Sequence, residues 1–269
     1  MINIKNIKKE QQHIALKVTS LSIGYSSKKQ QNVISKDINF ALKKGELTAI
    51  VGVNGIGKST LLRTLGKVQP KLNGSICIDN LEISDYKPEH LAAKISVVLT
   101  EKIASKNLTV LEVIALGRQP YTNWIGTLTN TDKDKITEAI SLVQIEELQH
   151  KKCYELSDGQ LQKVMIARAL AQDTSIILLD EPTSHLDLYH KATILKLLKN
   201  IAHKTKKTIL FTTHEIEVAL QLCDKILILD KNTSHFGTPK DLIAAKKFNA
   251  LFPKDTIVFD ENTASFKVV

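Results

Sequence analysis

The stretch Gly52-Val-Asn-Gly-Ile-Gly-Lys-Ser-Thr60 restricts what this chain can fold into more than any other. It satisfies G-x-x-x-x-G-K-[ST], with Gly52, Gly57, Lys58 and Ser59 at the defining positions. The apolar residues 48–52 read as a buried strand, and residues 58–65 as the helix that follows it. Glycines here let the backbone curl, so that N–H groups from Asn54, Gly55 and Gly57 converge on a phosphate while the helix N-terminus adds positive potential. Lys58 supplies a point charge, Ser59 a hydroxyl for Mg²⁺, and Thr60 the next hydroxyl along. A glycine-rich strand-to-helix turn without a ligand is the alternative. The agreement of strand, glycines, Lys-Ser and helix favours nucleoside triphosphate binding.

A chain of 269 residues with 43% apolar content fits one α/β domain with modest additions. The formal charge of +9 is compatible with nucleotide phosphates, anionic lipid or nucleic acid, but lysines scattered over a solvated surface are the better explanation, and charge alone identifies no partner. Cys77, Cys153 and Cys223 are far apart and lack C-x-x-C spacing, which argues against a disulfide framework and a zinc site. The first ten residues are too polar for a secretory segment, and no apolar run approaches the roughly 20 residues that span a bilayer. Any role at a membrane is therefore expected to run through a partner.

Along the chain, residues 14–18 and 21–25 read as a strand pair or one irregular strand, followed by strands at 38–42, 46–51, 75–78 and 95–99. Between 100 and 156 the pattern turns helical. Thr109-Val-Leu-Glu112 is a capping box for a helix over 110–117, and residues 131–134 are expected to cap a helix running to Val143. The second half alternates: helix 161–171, strand 175–179, helix 188–202, strand 208–212, helix 216–222, strand 225–229. Such alternation predicts a parallel sheet covered by helices. A helix near 241–247 and a hairpin pairing 256–259 with 266–268 complete the reading.

Leu156-Ser-Asp-Gly-Gln160 lies just before the helix at 161–171 and shortly ahead of Ile176-Ile-Leu-Leu-Asp-Glu181. With the phosphate loop, Ser184-His-Leu-Asp187 and a strand ending at His214, this ordered set resembles the nucleotide-binding subunit of ABC transporters from about residue 16 to 239. The resemblance implies an α/β P-loop NTPase fold with an antiparallel β subdomain and an inserted helical subdomain at about 100–156. The domain would occupy 1–248, with 249–269 as a C-terminal extension. It further implies that Asp180 holds Mg²⁺, that Glu181 is the general base for the attacking water, and that His214 bonds the γ-phosphate. Tyr25 would stack on adenine. The signature residues Ser157, Gly159 and Gln160, together with Asp187, would complete the site of a second copy in a head-to-tail dimer. On their own, Ser157 and Asp187 read equally as helix N-caps, and Tyr25 as a core aromatic.

Two positions depart from the family pattern. Asp158 replaces the usual Gly in the signature, an exchange the helix dipole tolerates. Glu101 stands where the family places the Q-loop Gln, and is expected to take over its catalytic and Mg²⁺-contacting role, since a carboxylate also ligates a hard cation. Val113-Ile-Ala-Leu-Gly-Arg118, followed by Pro120-Tyr121, resembles ATPase subunits of importers for iron-siderophore complexes, haem and cobalamin. That implies ATP hydrolysis serving a membrane permease dimer, fed indirectly by a substrate-binding protein, from the cytoplasmic face of the inner membrane and with no nucleic acid partner. A non-transport ABC ATPase acting on nucleic acid is the alternative; the paired cassettes or long coiled-coil insertions typical of that group are not seen in the sequence. A regulatory module without turnover is disfavoured by Asp180, Glu181 and His214.

Overall fold

The computed structural model describes residues 13–26, 30–100, 106–230, 233–253 and 255–269. Strands β1 (Ile14–Ser26) and β2 (Gln31–Lys43) run antiparallel, and β3 (Leu47–Val51) follows a tight turn at Gly45 and is buried throughout. Helix α1 (Lys58–Leu65) leads to β4 (Asn73–Ile78), β5 (Leu81–Glu82), the short α2 (Pro88–Ala92) and β6 (Ile95–Val98). Three helices follow: α3 (Val110–Ala115), α4 (Asn130–Val143) and α5 (Asp158–Ala171). Then come β7 (Ile176–Leu179), α6 (Leu188–Thr205), β8 (Thr208–Thr212), α7 (Ile216–Leu222) and β9 (Lys225–Leu229). The chain closes with β10 (Ser234–Gly237), α8 (Pro239–Ala244), β11 (Ile257–Asp260) and β12 (Ser265–Val268).

The strands form an antiparallel sheet ordered β2-β1-β4-β5 and a larger one ordered β10-β9-β3-β8-β7-β6, in which only β10 runs against its neighbour. Strands buried on both faces must be apolar throughout, as Ile176-Ile-Leu-Leu179 is. Alternate residues then feed two separate cores. Ala49, Val51, Ile177, Leu179, Ile209 and Phe211 pack toward α3 to α7, whereas Ile50, Leu178, Leu210 and Leu227 pack with α1 and the antiparallel sheet. The carboxyl ends of β3, β8 and β7 lie side by side, and from them emerge the phosphate loop, His214 and the Asp180-Glu181 pair. Ligands of open parallel sheets bind at such ends.

Residues 14–26 form one irregular strand rather than a pair, its register shifting between Val18 and Leu21 where Ser20 adopts φ +45°. The expected strand at 38–42 is only the end of β2, whose first half carries polar, outward residues that mask its period. The expected cap at Thr131 is corrected to Thr129. Its hydroxyl accepts from Asp132 N at 3.2 Å while the Asp132 carboxylate accepts from Thr129 N at 2.9 Å. Asp132 is further engaged by Arg118 Nε at 2.8 Å, and Arg118 Nη1 donates to Ala171 O at 2.7 Å, tying the segment after α3 to both α4 and α5. Both side chains are buried, so removing either would leave an uncompensated charge and cost about 3–5 kcal/mol.

The box of Thr109 and Glu112 forms as expected. The C-terminal hairpin packs through aromatic rings: Phe259 stacks on Phe248 at 5.1 Å, and Phe266 N donates to Glu217 Oε1 of α7 at 2.9 Å. No helix among the described residues is long and apolar enough to cross a membrane.

Candidate nucleotide site

Gly57 sits where the loop becomes α1, with φ +106°, and a Cβ there would lie 2.7 Å from Ile34 Cγ2. At Gly52 the obstacle is backbone, since a Cβ would meet Leu229 O at 2.6 Å. These two approaches make glycine obligatory at both ends of the loop. Lys58 is 6% exposed, and its Nζ donates to Gly52 O at 2.9 Å and Val53 O at 3.2 Å, which holds the ammonium at the loop's mouth. Burial lowers its pKa, while the nearby Glu181 and Asp180 charges act the other way.

Ser59 Oγ donates to Asp180 Oδ1 at 2.9 Å, joining the start of α1 to the end of β7. Asp180 is 3% exposed; Thr212 Oγ1 donates to the same oxygen at 2.7 Å, and Thr100 Oγ1 to Oδ2 at 3.5 Å. Thr212 also accepts from Glu181 N at 2.8 Å, so one hydroxyl fixes both acidic residues. Glu181 itself has φ +46°. His214 places Nδ1 3.9 Å from Glu181 Oε2 and Nε2 3.3 Å from Glu215 Oε1. Ser59, Asp180, Glu181, His214 and Asp158 line one cleft of about 660 Å³.

Tyr25 is half exposed on the antiparallel sheet, its hydroxyl 3.4 Å from Thr60 Oγ1. Ser157 caps α5, accepting from Gln160 N at 3.3 Å while Gln160 Oε1 accepts from Ser157 N at 3.1 Å. Gly159 faces His190 closely: a Cβ would meet its ring at 3.3 Å. Asp187 caps α6, accepting from His190 N at 2.8 Å, and that N–H, followed by the imidazole, lowers its pKa. Neither Ser157 nor Asp187 lines the cleft. Glu101 lies outside the described residues.

Two contributors carry little sequence signal: Thr212, marked only by the repeated Thr before His214, and Glu215, next to that histidine. Among the described residues no group of three or more His, Cys, Asp or Glu side chains gathers as a metal site. The Ser59 hydroxyl and Asp180 carboxylate nevertheless offer two hard oxygens side by side. That suits a cation such as Mg²⁺, which takes one or two protein ligands and completes its shell with phosphate and water.

Residues 35–184 match the family described as ABC transporter, and the chain belongs to that family as an ATP-binding cassette. It is 39% identical over 254 residues to an ABC transporter ATP-binding protein of Methanocaldococcus jannaschii, covering 94% of this chain and 86% of that protein. It is 33% identical over 239 residues to the petrobactin import ATP-binding protein FpuD of Bacillus anthracis, covering 88% and 86%. Among solved structures it resembles a chain of an ABC transporter classed as metal-chelate type in an inward-facing conformation, with TM-score 0.76, 30% identity and 89% coverage of both. A dimeric ABC transporter cassette aligns with TM-score 0.70 and 29% identity over 83% of this chain and 98% of its own.

Proposed function

We propose that this chain is the ATP-hydrolysing subunit of an importer for iron-siderophore, haem or cobalamin-type metal chelates, working as a head-to-tail pair beneath a membrane permease dimer at the cytoplasmic face. The observation that carries the hydrolytic part is the Ser59–Asp180 contact with Glu181 and His214 facing the same cleft. The cargo rests on the relatives, since FpuD is named for petrobactin import and FhuC of Bacillus subtilis, 32% identical over 251 residues, for iron(3+)-hydroxamate import.

In this reading the N–H groups of residues 54–58 and the Lys58 ammonium bind phosphate oxygens, Thr60 contributes its hydroxyl, and Tyr25 stacks on adenine. Ser59 and Asp180 would hold Mg²⁺, which when bound neutralises charge on the phosphates. Glu181 accepts a proton from the attacking water at a carboxylate oxygen. His214 donates to the γ-phosphate, and Ser157 with the Gly159 N–H closes the site from the second copy, Gln160 bracing that cap and Asp187 standing at the subunit boundary. Glu101 takes the Q-loop role. Changing Glu101 to Gln is then expected to raise the Mg²⁺ concentration for half-maximal ATPase rate by roughly threefold, because a charged oxygen ligand is lost; an unchanged rate and Mg²⁺ dependence would remove Glu101 from the site.

Co-expression with a candidate metal-chelate permease and reconstitution with the matching binding protein tests the whole reading. The chain is expected to co-purify with the permease and to hydrolyse ATP faster when a ferric chelate is supplied with the binding protein. Failure to associate with the permease, together with turnover stimulated by RNA or DNA, would overturn it.

A further inference from the structure

Glu215 Oε1 is shared between two side chains, the imidazole of His214 beside it in sequence and the ammonium of Lys191 on α6. One contact is His214 Nε2, at 3.3 Å; the other is an ion pair with Lys191 Nζ, reached from α6. Lys191 and Glu215 side chains are 18% and 28% exposed, so solvent screens the pair only in part. Lys191 sits one turn after the cap of α6, its N–H donating to Asp187 O at 2.9 Å. Glu215 is fixed from its other side, its own N–H donating to Thr213 Oγ1 at 3.0 Å. A continuous set of contacts thus runs from Asp187 through Lys191 and Glu215 to the imidazole, whose other nitrogen faces Glu181.

We propose that Lys191 is a positioning residue for His214, acting through Glu215. A carboxylate beside an imidazole competes for it. With Lys191 engaged, Glu215 Oε1 is anchored on α6 and its charge partly balanced, so the ring stays between Glu215 and Glu181. Without Lys191, Glu215 is left to pair with His214 alone, and the ring is drawn off the line toward Glu181 and the phosphates. Small displacements of a positioned group carry large rate effects. The chain of contacts also links the α6 cap, which borders the second copy in the proposed dimer, to the histidine, so that the arrival of that copy can be felt at His214.

The proposal rests on the reading that His214 contacts the γ-phosphate. Steady-state ATPase of the purified full chain with Mg-ATP tests both separately. Lys191→Met is expected to lower kcat by roughly tenfold with KM for ATP within about twofold, the pattern of a lost transition-state contact. Lys191→Arg restores kcat to within about threefold of wild type, because the charge and reach are retained. In a His214→Ala background, Lys191→Met adds less than about twofold, since the group it positions is gone. A kcat for Lys191→Met within twofold of wild type, an equal loss in both backgrounds, or no recovery with Arg overturns the positioning role while leaving the histidine reading intact. If His214→Ala alone leaves kcat unchanged, the histidine reading fails and this proposal falls with it.

Discussion

Glu181→Gln is expected to reduce kcat for ATP hydrolysis by roughly a thousandfold, within the range that general-base removal produces, while ATP-dependent dimerisation persists. The amide keeps the size and backbone demands of the native residue, including the left-handed φ of +46° and the N–H bond to Thr212, so the local fold is retained. What disappears, on the proposed reading, is the ability to accept a proton from the attacking water. The anionic charge also leaves the cleft, which reduces repulsion toward bound triphosphate and favours the closed pair. Single-turnover hydrolysis beside size-exclusion chromatography with ATP separates the two effects. A variant that turns over at the wild-type rate would place the base elsewhere.

Lys58→Ala is expected to weaken the Kd for Mg-ATP by roughly a hundredfold, the equivalent of about 3 kcal/mol for a lost charge-assisted bond. Its ammonium is almost fully buried at the loop's mouth, with two carbonyls as partners and Asp180 and Glu181 nearby as charges. Truncation leaves phosphate oxygens uncompensated and the carbonyls of Gly52 and Val53 without their donor. Calorimetric titration reads the loss directly, and Lys58→Arg is not expected to repair it, since a planar guanidinium does not fit a point-charge position. Binding within threefold of wild type would separate Lys58 from the phosphates.

The elements around the loop were legible because local chemistry sets their ends. Helix α1 begins and ends where expected, Gly57 and Gly66 standing at its two limits. The strands β8 and β9 and the helix α7 also match, each a short apolar run bounded by polar residues. Misreadings occurred where a signal was duplicated or diluted. Thr129 and Thr131 both precede an acidic residue at capping distance, and only the buried partnership with Arg118 decides between them. Strand β10 has no sequence signature, since its four residues are all half-buried and show no period.

The candidate site divides in the same way. Ser59 announces itself in the phosphate-loop motif at the start of α1, and Asp180, Glu181 and His214 just beyond the ends of apolar strands; the fold brings all four to one cleft. The pairing of Lys191 with Glu215 had no local signal, because 24 residues separate them and only the packing of α6 beside α7 makes them neighbours. Long-range polar contacts of this kind are decided by topology rather than by pattern.

The left-handed backbone at Glu181 carries a consequence for the protein's evolution. A non-glycine residue in that conformation costs on the order of 1–3 kcal/mol, and Thr212 holds it there with a single hydroxyl. Selection for thermal robustness alone would therefore favour glycine or asparagine at position 181 and discard the carboxylate. On the proposed role of Glu181 as the base, glutamate here exchanges some stability for turnover, and glycine at this position is expected to give a steadier fold that no longer hydrolyses ATP.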